Sequence, residues 1–590
     1  MDFFDLLTML GGLALFLYGM ETMGEGLAKA SGGKLERILE QLTSNTLKAV
    51  LLGAGVTAVI QSSSATTVMV VGFVNSGMMQ LTQAVGIIMG ANIGTTITSW
   101  ILSLSGIESS HFFVRLLKPA SFSPVMALIG VCFLMFSKKE KKRDVGLILI
   151  GFAILMTGMD TMSSSVRPLA DVPEFTGLLT MFSNPVLGML CGALLTAVIQ
   201  SSSASVGILQ ALCATGAVSF GAAIPIIMGQ NIGTCVTAVL SGIGAHKNAK
   251  RTALVHLYFN LMGTIIFMTI FYILNSFMQF EFMKRPVNAA GIAAVHTAFN
   301  VAATLVLFPF SKALVKLACL TIPESENKKE DTNKNAKDFQ LLDMRFLDTP
   351  GYAVEQSRIV AVRMAELVKK ALYCAVYLLD NFNEELTGKV MRLEKSVDKY
   401  EDELGSYLVK LSAKNLSERD SHTVTMLLHC IGDFERISDH AVNIVETAQE
   451  LHQKKIHFSS KAREELKVFT MALTEIVDSA FTVFSEEDYE RAAKIEPLEE
   501  TIDYLNQQLK KRHVERLRTG ACTMELGFAL ADLTTNFERI SDHCSNVAIA
   551  LIQSRTDGYE AHEYTARLHR ENNPEFQKEY MAYRKKYILP

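Results

Sequence analysis

Between Ala49 and Ile107, and again between Phe175 and His246, the chain carries no aspartate, glutamate, lysine or arginine. Runs of 59 and 72 residues without a formal charge are too long for a soluble surface. They suit segments that cross ~30 Å of hydrocarbon, where a spanning helix needs ~20 mostly apolar residues. Charge then divides the 590 residues: positions 1–320 hold 19 basic and 13 acidic side chains, and the remainder holds 37 and 47. A membrane half of net +6 precedes a soluble half of net −10.

Phe3 to Met20 is apolar, but Asp2 and Asp5 stand where a cleaved signal would be basic, so the segment reads as the first membrane helix. The nine cysteines show no CxxC and no paired spacing, which indicates neither a disulfide framework nor a cysteine metal site. Cys374, Cys430, Cys522 and Cys544 of the soluble half fit a reduced cytoplasm. With no nucleophilic triad, P-loop or zinc-hydrolase motif, an enzyme is not expected, nor is a nucleic-acid partner.

TAVIQSSSA occurs at Thr57 to Ala65 and again at Thr196 to Ala204. Gln61 and Gln200 are 139 residues apart, as are Asn92 in IIMGANIGT and Asn231 in IIMGQNIGT. The same offset aligns Gly12, Gly19 and Met23 with Gly151, Gly158 and Met162, so the first half is a duplication. Lys29, Lys34 and Arg37, the KKEKKR run at 138–143, and Lys247, Lys250 and Arg251 all fall inside by the positive-inside rule; Glu108, Asp171 and Glu174 then fall outside. The two repeats are therefore expected to be inverted.

The expected spans are 3–20, 82–104, 120–137, 145–160, 222–244, 252–276 and 288–311. Between them lie 47–76 and 185–217, each interrupted midway by QSSS. Half of such a segment, ~15 residues, rises only ~22 Å as a helix, so paired re-entrant or broken helices are expected. A break in lipid must line a protein cavity, because lipid cannot satisfy the freed backbone groups. Half-helix N-termini suit an anion, unwound carbonyls and hydroxyls suit sodium, and inverted breaks point to one shared site near the midplane. Serine and glutamine can supply the donors. The competing reading is that the small residues only pack helices together. Register with helix-breaking Gly94 and Gly233 argues against it.

The charge-free cores hold no intramembrane acid, which favours coupling to sodium over protons. Glu21 and Asp160, at matching repeat positions, are the exceptions, and the topology above sets them near opposite faces.

Paired QSSS motifs, each followed about 30 residues later by NIGT, resemble the type II sodium/phosphate cotransporter family and its bacterial relatives. The resemblance covers roughly residues 1–315. It implies phosphate and sodium binding at Gln61, Ser62, Ser63 and Ser64 and at Gln200, Ser201, Ser202 and Ser203. Thr66, Asn92, Thr95, Asn231 and Thr234 complete the candidate set. Only about eight residues, Ser137 to Asp144, separate the repeats, where animal members have a large loop.

Residues 321–344 read as a polar linker. Beyond it, amphipathic helices are expected at 354–382, 387–413, 419–450, 460–484, 487–517 and 521–553. FERISDH at 434–440 and again at 537–543 marks two copies of a three-helix unit. Four pairs spaced i, i+4 (Glu394 and Asp398, Glu435 and Asp439, Glu499 and Asp503, Glu538 and Asp542) put two carboxylates on one helix face, where neighbours could gather them around a hard or intermediate cation. The alternative is an ordinary solvated face. The pattern resembles the phosphate-regulatory PhoU family over about 345–553, which implies a divalent or iron-type metal. Asp433 becomes Asn536 in the second copy, so unequal occupancy is expected.

The chain therefore reads as all-α. Residues 1–320 form a membrane transport domain with repeats at about 1–137 and 145–311, 321–344 a linker, 345–555 a PhoU-like domain and 556–590 a tail. The expected function is sodium-coupled phosphate symport across the cytoplasmic membrane, with a cytoplasmic regulatory domain, membrane lipid around the first half, and a homodimer and a cytosolic regulatory partner. Alternatives are a non-transporting phosphate sensor or a carrier of a different anion.

Overall fold

The computed structural model describes residues 3–31, 38–39, 45–106, 118–323, 334–554 and 574–590. Lys34, Arg37, Glu108, residues 324–333 of the polar linker and the first part of the tail lie outside the described residues. The chain divides into two compact units: 1–332 with 345–352, and 333–344 with 353–590.

In the first unit the helices are α1 (Phe3–Ser31), α2 (Thr46–Ile60), α3 (Ser63–Asn75), α4 (Leu81–Ser103), α5 (Pro119–Phe136), α6 (Glu140–Val166), α7 (Pro173–Met181), α8 (Pro185–Ile199), α9 (Ser202–Leu212), α10 (Phe220–Gly233), α11 (Cys235–Ser241), α12 (Lys247–Met278), α13 (Ala289–Leu307) and α14 (Ser311–Thr321). The 139-residue offset carries α2, α3 and α4 onto α8, α9 and the α10–α11 pair. Packing repeats as well. A Cβ on Gly90 would collide with the Val50 carbonyl, and one on Gly229 would collide with the carbonyl of Met189, the equivalent of Val50. Both repeats thus need glycine where α4 crosses α2 and α10 crosses α8, because the backbones touch there.

Among the described residues, six helical stretches of this unit are long and apolar enough to span a membrane: Phe4–Ser31, Leu81–Gly106, Glu140–Leu169, Phe220–Ser241, Lys247–Met278 and Ala289–Thr321. The QSSS-flanking helices α2 and α8 have 15 residues each, and α3 and α9 have 13 and 11, so none crosses ~30 Å alone. The chain is a multi-pass membrane protein.

Several boundaries differ from expectation. The first helix continues past Met20 to Ser31, because beyond Glu21 its Met23 and Gly26 still pack closely against Gly151 and Ile148 of α6. Gly94 does not break α4, which is continuous; a Cβ there would press on the Ala54 carbonyl, so this glycine serves close packing. In the second copy the helix does end at Gly233, and a new one starts at Cys235.

The second unit holds α15 (Lys334–Phe339), α16 (Pro350–Asp380, its first turn belonging to the first unit), α17 (Glu384–Ser412), α18 (Glu418–Lys454), α19 (Ser460–Glu486), α20 (Tyr489–Ala492), α21 (Ile495–Arg518), α22 (Met524–Gln553) and α23 (Pro574–Lys586). The stretch expected as one helix at 487–517 is interrupted before Ile495. Helix α19 is apolar enough to pass for a span, yet Phe469, Leu473, Ile476, Val477, Ala480 and Phe484 form a buried stripe and its other face is charged. That is the pattern of a helix packed in a bundle. Phe434 on α18 and Phe537 on α22, the first residues of the two FERISDH copies, are fully buried against Phe484 and Phe469.

Candidate functional site

Each QSSS motif is a helix break of the same construction. Gln61 ends α2 with φ 60° and ψ 21°, and Gln200 ends α8 with φ 59° and ψ 19°. A left-handed conformation costs a side-chain-bearing residue roughly 1–2 kcal/mol, so both repeats hold strain at one position. The next serine starts the following half-helix. Ser62 Oγ accepts from the Ala65 amide at 3.1 Å, and Ser201 Oγ accepts from the Ala204 amide at 3.2 Å. Because each capping oxygen accepts, its hydroxyl hydrogen stays available as a donor. The first-turn N–H groups that follow lack intrahelical acceptors and carry the positive end of the helix dipole.

Gln61 to Ser64 and Gln200 to Ser203 line one cavity of about 400 Å³. Glu21 and Glu25 from α1, and Asp348, line it too, whereas no lysine or arginine does among the described residues. The cavity therefore combines hydroxyl, amide and backbone donors with three carboxylates. Asp160, the repeat counterpart of Glu21, is exposed and does not line it. Glu25 and Asp348 were not singled out in the sequence: the first lies one turn beyond Glu21, and the second lies outside both repeats.

The remaining candidates of this half lie outside the cavity wall. Thr66 is buried and receives the Thr57 hydroxyl at 3.1 Å. Asn92 donates to Asn260 Oδ1 at 3.0 Å, and Asn260 donates to Cys235 Sγ at 3.3 Å. Thr95 is bonded to the Ala91 carbonyl, Asn231 to that of Ile227, and Thr234 to that of Asn231. Asn92 thus ties α4 to α12, and Asn260 ties α12 to α11, whereas Thr95, Asn231 and Thr234 bond to carbonyls three or four residues back.

In the second unit the carboxylates gather into two trios. Oxygen atoms of Glu394, Asp398 and Asp439 lie within 4.8 Å of one another, and so do those of Glu499, Asp503 and Asp542. Burial, then Asp503 and further neighbouring carboxylates, push Glu499 up to about 9; burial, then Glu538 and Asp542, push Asp503 up to about 6. Burial and then Asp398 also raise Glu394. Crowded oxygen donors that resist ionising together are the condition a hard cation would relieve, so the residues fit one.

Glu435 and Glu538 stand outside the trios. Glu538 accepts from the Asn506 amide, and Glu435 lies 3.5 Å from Arg436. Asp433 and Asn536 are also outside: His543 Nδ1 lies 2.8 Å from Asp433 Oδ1, and His440 Nδ1 lies 2.8 Å from Asn536 Oδ1, across the seam of α18 and α22. The substitution of Asp433 by Asn536 therefore changes that seam and leaves both trios with three carboxylates.

The Na+/Pi-cotransporter family matches residues 15–164 and 155–299, one copy per repeat, and the PhoU domain matches 361–448 and 471–551. The chain belongs to the Na+/Pi-cotransporter family and carries a PhoU domain. A member of Escherichia coli K12 named for inorganic phosphate export, YjbB, is 25% identical over 576 residues, covering 95% of this chain and 99% of its own. A homologue of the phosphate-specific transport system accessory protein PhoU from Thermotoga maritima is 28% identical over 195 residues, 33% of this chain and 83% of its own. Sodium-dependent phosphate transport protein 2A of Rattus norvegicus is 28% identical over 174 residues, 29% of this chain and 26% of its own. Family membership makes phosphate transport the functional class of the chain.

Proposed function

We propose that the chain couples phosphate movement across the cytoplasmic membrane to sodium, binding both in the cavity lined by the two QSSS breaks. One observation carries the reading: the cavity offers many donors and three carboxylates, and no basic side chain among the described residues. Hydroxyls and helix N-termini supply hydrogen bonds to phosphate oxygens. A phosphate dianion beside the Glu21 carboxylate is repelled unless a cation enters with it. Sodium, which neutral and anionic oxygens can bind, supplies that charge, and obligatory co-entry is coupling.

The rat relative is named for sodium dependence and the bacterial one for export. A coupled carrier reconciles the two names, since its net direction follows the summed gradients of both solutes. The repeats are inverted, and the PhoU-like unit is cytoplasmic, holds cations at the carboxylate trios and adjusts flux.

Purified chain in liposomes should accumulate labelled phosphate under an inward sodium gradient and release it when the gradient is reversed. Equal flux with choline replacing sodium overturns the coupling. Phosphate binding without flux in either direction would instead establish a sensor.

A further inference from the structure

Residues 452–463, which connect α18 to α19, hold four basic side chains and no acidic one, in a half of the chain whose net charge is −10. The connection lines a cavity of about 550 Å³ within the second unit, together with the end of α16. Its apolar lining includes Leu378, Leu451 and Leu533, buried residues of three different helices. The Phe382 ring stacks on the His452 imidazole, with centroids 4.3 Å apart and planes 19° apart, and both line the cavity. Arg463 and Lys467, one turn apart on α19, line it as exposed side chains, and so do Asp380 and Glu464. None of these four charged groups has an ion-pair or side-chain hydrogen-bond partner among the described residues. Ser460, the first residue of α19, completes the charged side. Ser459 Oγ accepts from the Ala462 amide at 3.3 Å, and its carbonyl accepts from the Arg463 amide at 2.9 Å. The amides of Ser460 and Lys461 therefore have no acceptor inside the helix.

A bare oxyanion answers only part of this lining. Arg463, Lys467 and the first amides of α19 attract phosphate oxygens, but Asp380 and Glu464 oppose them and call for a hydrogen-bond donor instead. Aliphatic side chains beside a flat aromatic face call for a ring. The volume is far beyond that of one phosphate and falls among cavities that hold small organic ligands, about 300–1,000 Å³. A nucleotide meets every demand at once: phosphates for the cations, ribose hydroxyls that donate to a carboxylate, and a planar base.

We propose that this cavity binds a nucleoside di- or triphosphate, with the phosphates on Arg463, Lys467 and the start of α19, the ribose hydroxyls on Asp380 or Glu464, and the base against Phe382 and His452. None of the carboxylates of the two trios lines the cavity. The nucleotide site is thus separate from them, and it gives the PhoU-like unit an input other than a metal ion.

The test titrates the purified full chain with ATP in a calorimeter, with chelator present so that no nucleotide is held through a metal at the trios. Arg463→Ala combined with Lys467→Ala should weaken ATP binding about tenfold or more, through loss of two charge-assisted contacts. Phe382→Ala should weaken it about tenfold, through loss of the ring face. Lys410→Ala combined with Arg518→Ala removes two exposed basic residues that do not line the cavity, and should leave binding unchanged. Adenosine and inorganic triphosphate should each bind about tenfold or more weakly than ATP, because each keeps only part of the contacts. Should the double alanine variant fail to fold, Arg463→Gln alone decides, with binding expected about threefold weaker. Absence of ATP binding, or binding unchanged in a folded variant of Arg463, overturns the site. Inorganic triphosphate binding as tightly as ATP overturns the nucleotide as its ligand.

Discussion

Thr98 donates through Oγ1 to Gln61 Oε1 at 2.9 Å, tying the first helix break to α4. Its repeat counterpart, Thr237, has a buried Oγ1 with no hydrogen-bond partner, and Gln200 is exposed in the cavity wall. The duplicated motifs are thus in two different states. Gln61→Ala should therefore lower both phosphate transport and stability, the latter by about 1 kcal/mol for a lost buried hydrogen bond. Gln200→Ala should impair transport equally with a melt unchanged to within about 0.5 kcal/mol. Uptake assays and thermal melts on the same preparations separate the two effects; normal transport by both variants would return the motifs to a packing role.

Backbone strain gives a second, opposite prediction at the same position. Gln200 has a φ of 59°, which glycine adopts without penalty. Gln200→Gly should raise stability above that of Gln200→Ala by about 1 kcal/mol while restoring no transport, since the side chain is what the cavity loses.

Glu21 stands in the cavity wall, and its repeat counterpart Asp160 does not. Glu21→Gln should raise the sodium concentration needed for half-maximal phosphate flux about three- to tenfold, because one less carboxylate attracts the cation. Asp160→Asn should leave it unchanged. Sodium titrations of liposome uptake check both, and identical curves for all three proteins would remove Glu21 from the coupling path.

The carboxylate trios predict a pH dependence with a definite sign. Burial and neighbouring carboxylates raise Glu499 to about 9 and Asp503 to about 6. A carboxyl whose folded pKa is raised stabilises the fold fully below its ordinary value near 4.5. That stability is lost as the pH climbs through the folded value. With chelator present, the soluble unit of the full chain should therefore melt at falling temperature between about pH 5 and pH 9. Added manganese or iron should reverse the trend, as binding favours the ionised ligands and releases protons. Asp542→Asn should remove most of this metal-dependent gain. A melt insensitive to both pH and metal would leave the trios as solvated acidic faces.

Glu465 on α19 is 4% exposed and bridges two arginines of α21, Arg516 Nη1 at 2.7 Å and Arg512 Nη1 at 3.1 Å. Removing the shared anion leaves a buried guanidinium uncompensated, so Glu465→Ala should destabilise the second unit by about 3 kcal/mol. Arg512→Ala, at the more exposed partner, should cost about 1 kcal/mol or less. Chemical denaturation followed by a probe in α19 would read both.

The helical class, the membrane half and the duplication were legible because each is a property of consecutive residues. Charge-free runs state a solvent, and a constant offset of 139 states a repeat. The break at QSSS was legible too, since its segments are too short to span the bilayer singly. Less could be read where the same residue types serve two ends. Gly94 and Gly233 look alike in sequence and meet equivalent neighbours, Ala54 and Thr57 in one copy and Ala193 and Thr196 in the other, yet one lies inside a continuous helix and the other ends one. Asn92 and Asn231 shared the polar register of the motifs, but Asn92 bonds across to Asn260 of another helix, whereas Asn231 bonds back to the Ile227 carbonyl of its own.

By itself the sequence determined which residues carry the chemistry: two sets of glutamine and serines in an apolar repeat, and carboxylates one helical turn apart in a soluble one. Only the tertiary structure decided which of them meet. It brought both QSSS breaks and Asp348 to one cavity, admitted Glu21 while excluding Asp160, and drew Asp439 and Asp542 into the trios while leaving Glu435 and Glu538 aside. The physical reason is that spacing along a helix sets the face on which a side chain lies, whereas its partners are set by how helices far apart in sequence cross, and those crossings depend on glycine contacts and buried rings that act together rather than one position at a time.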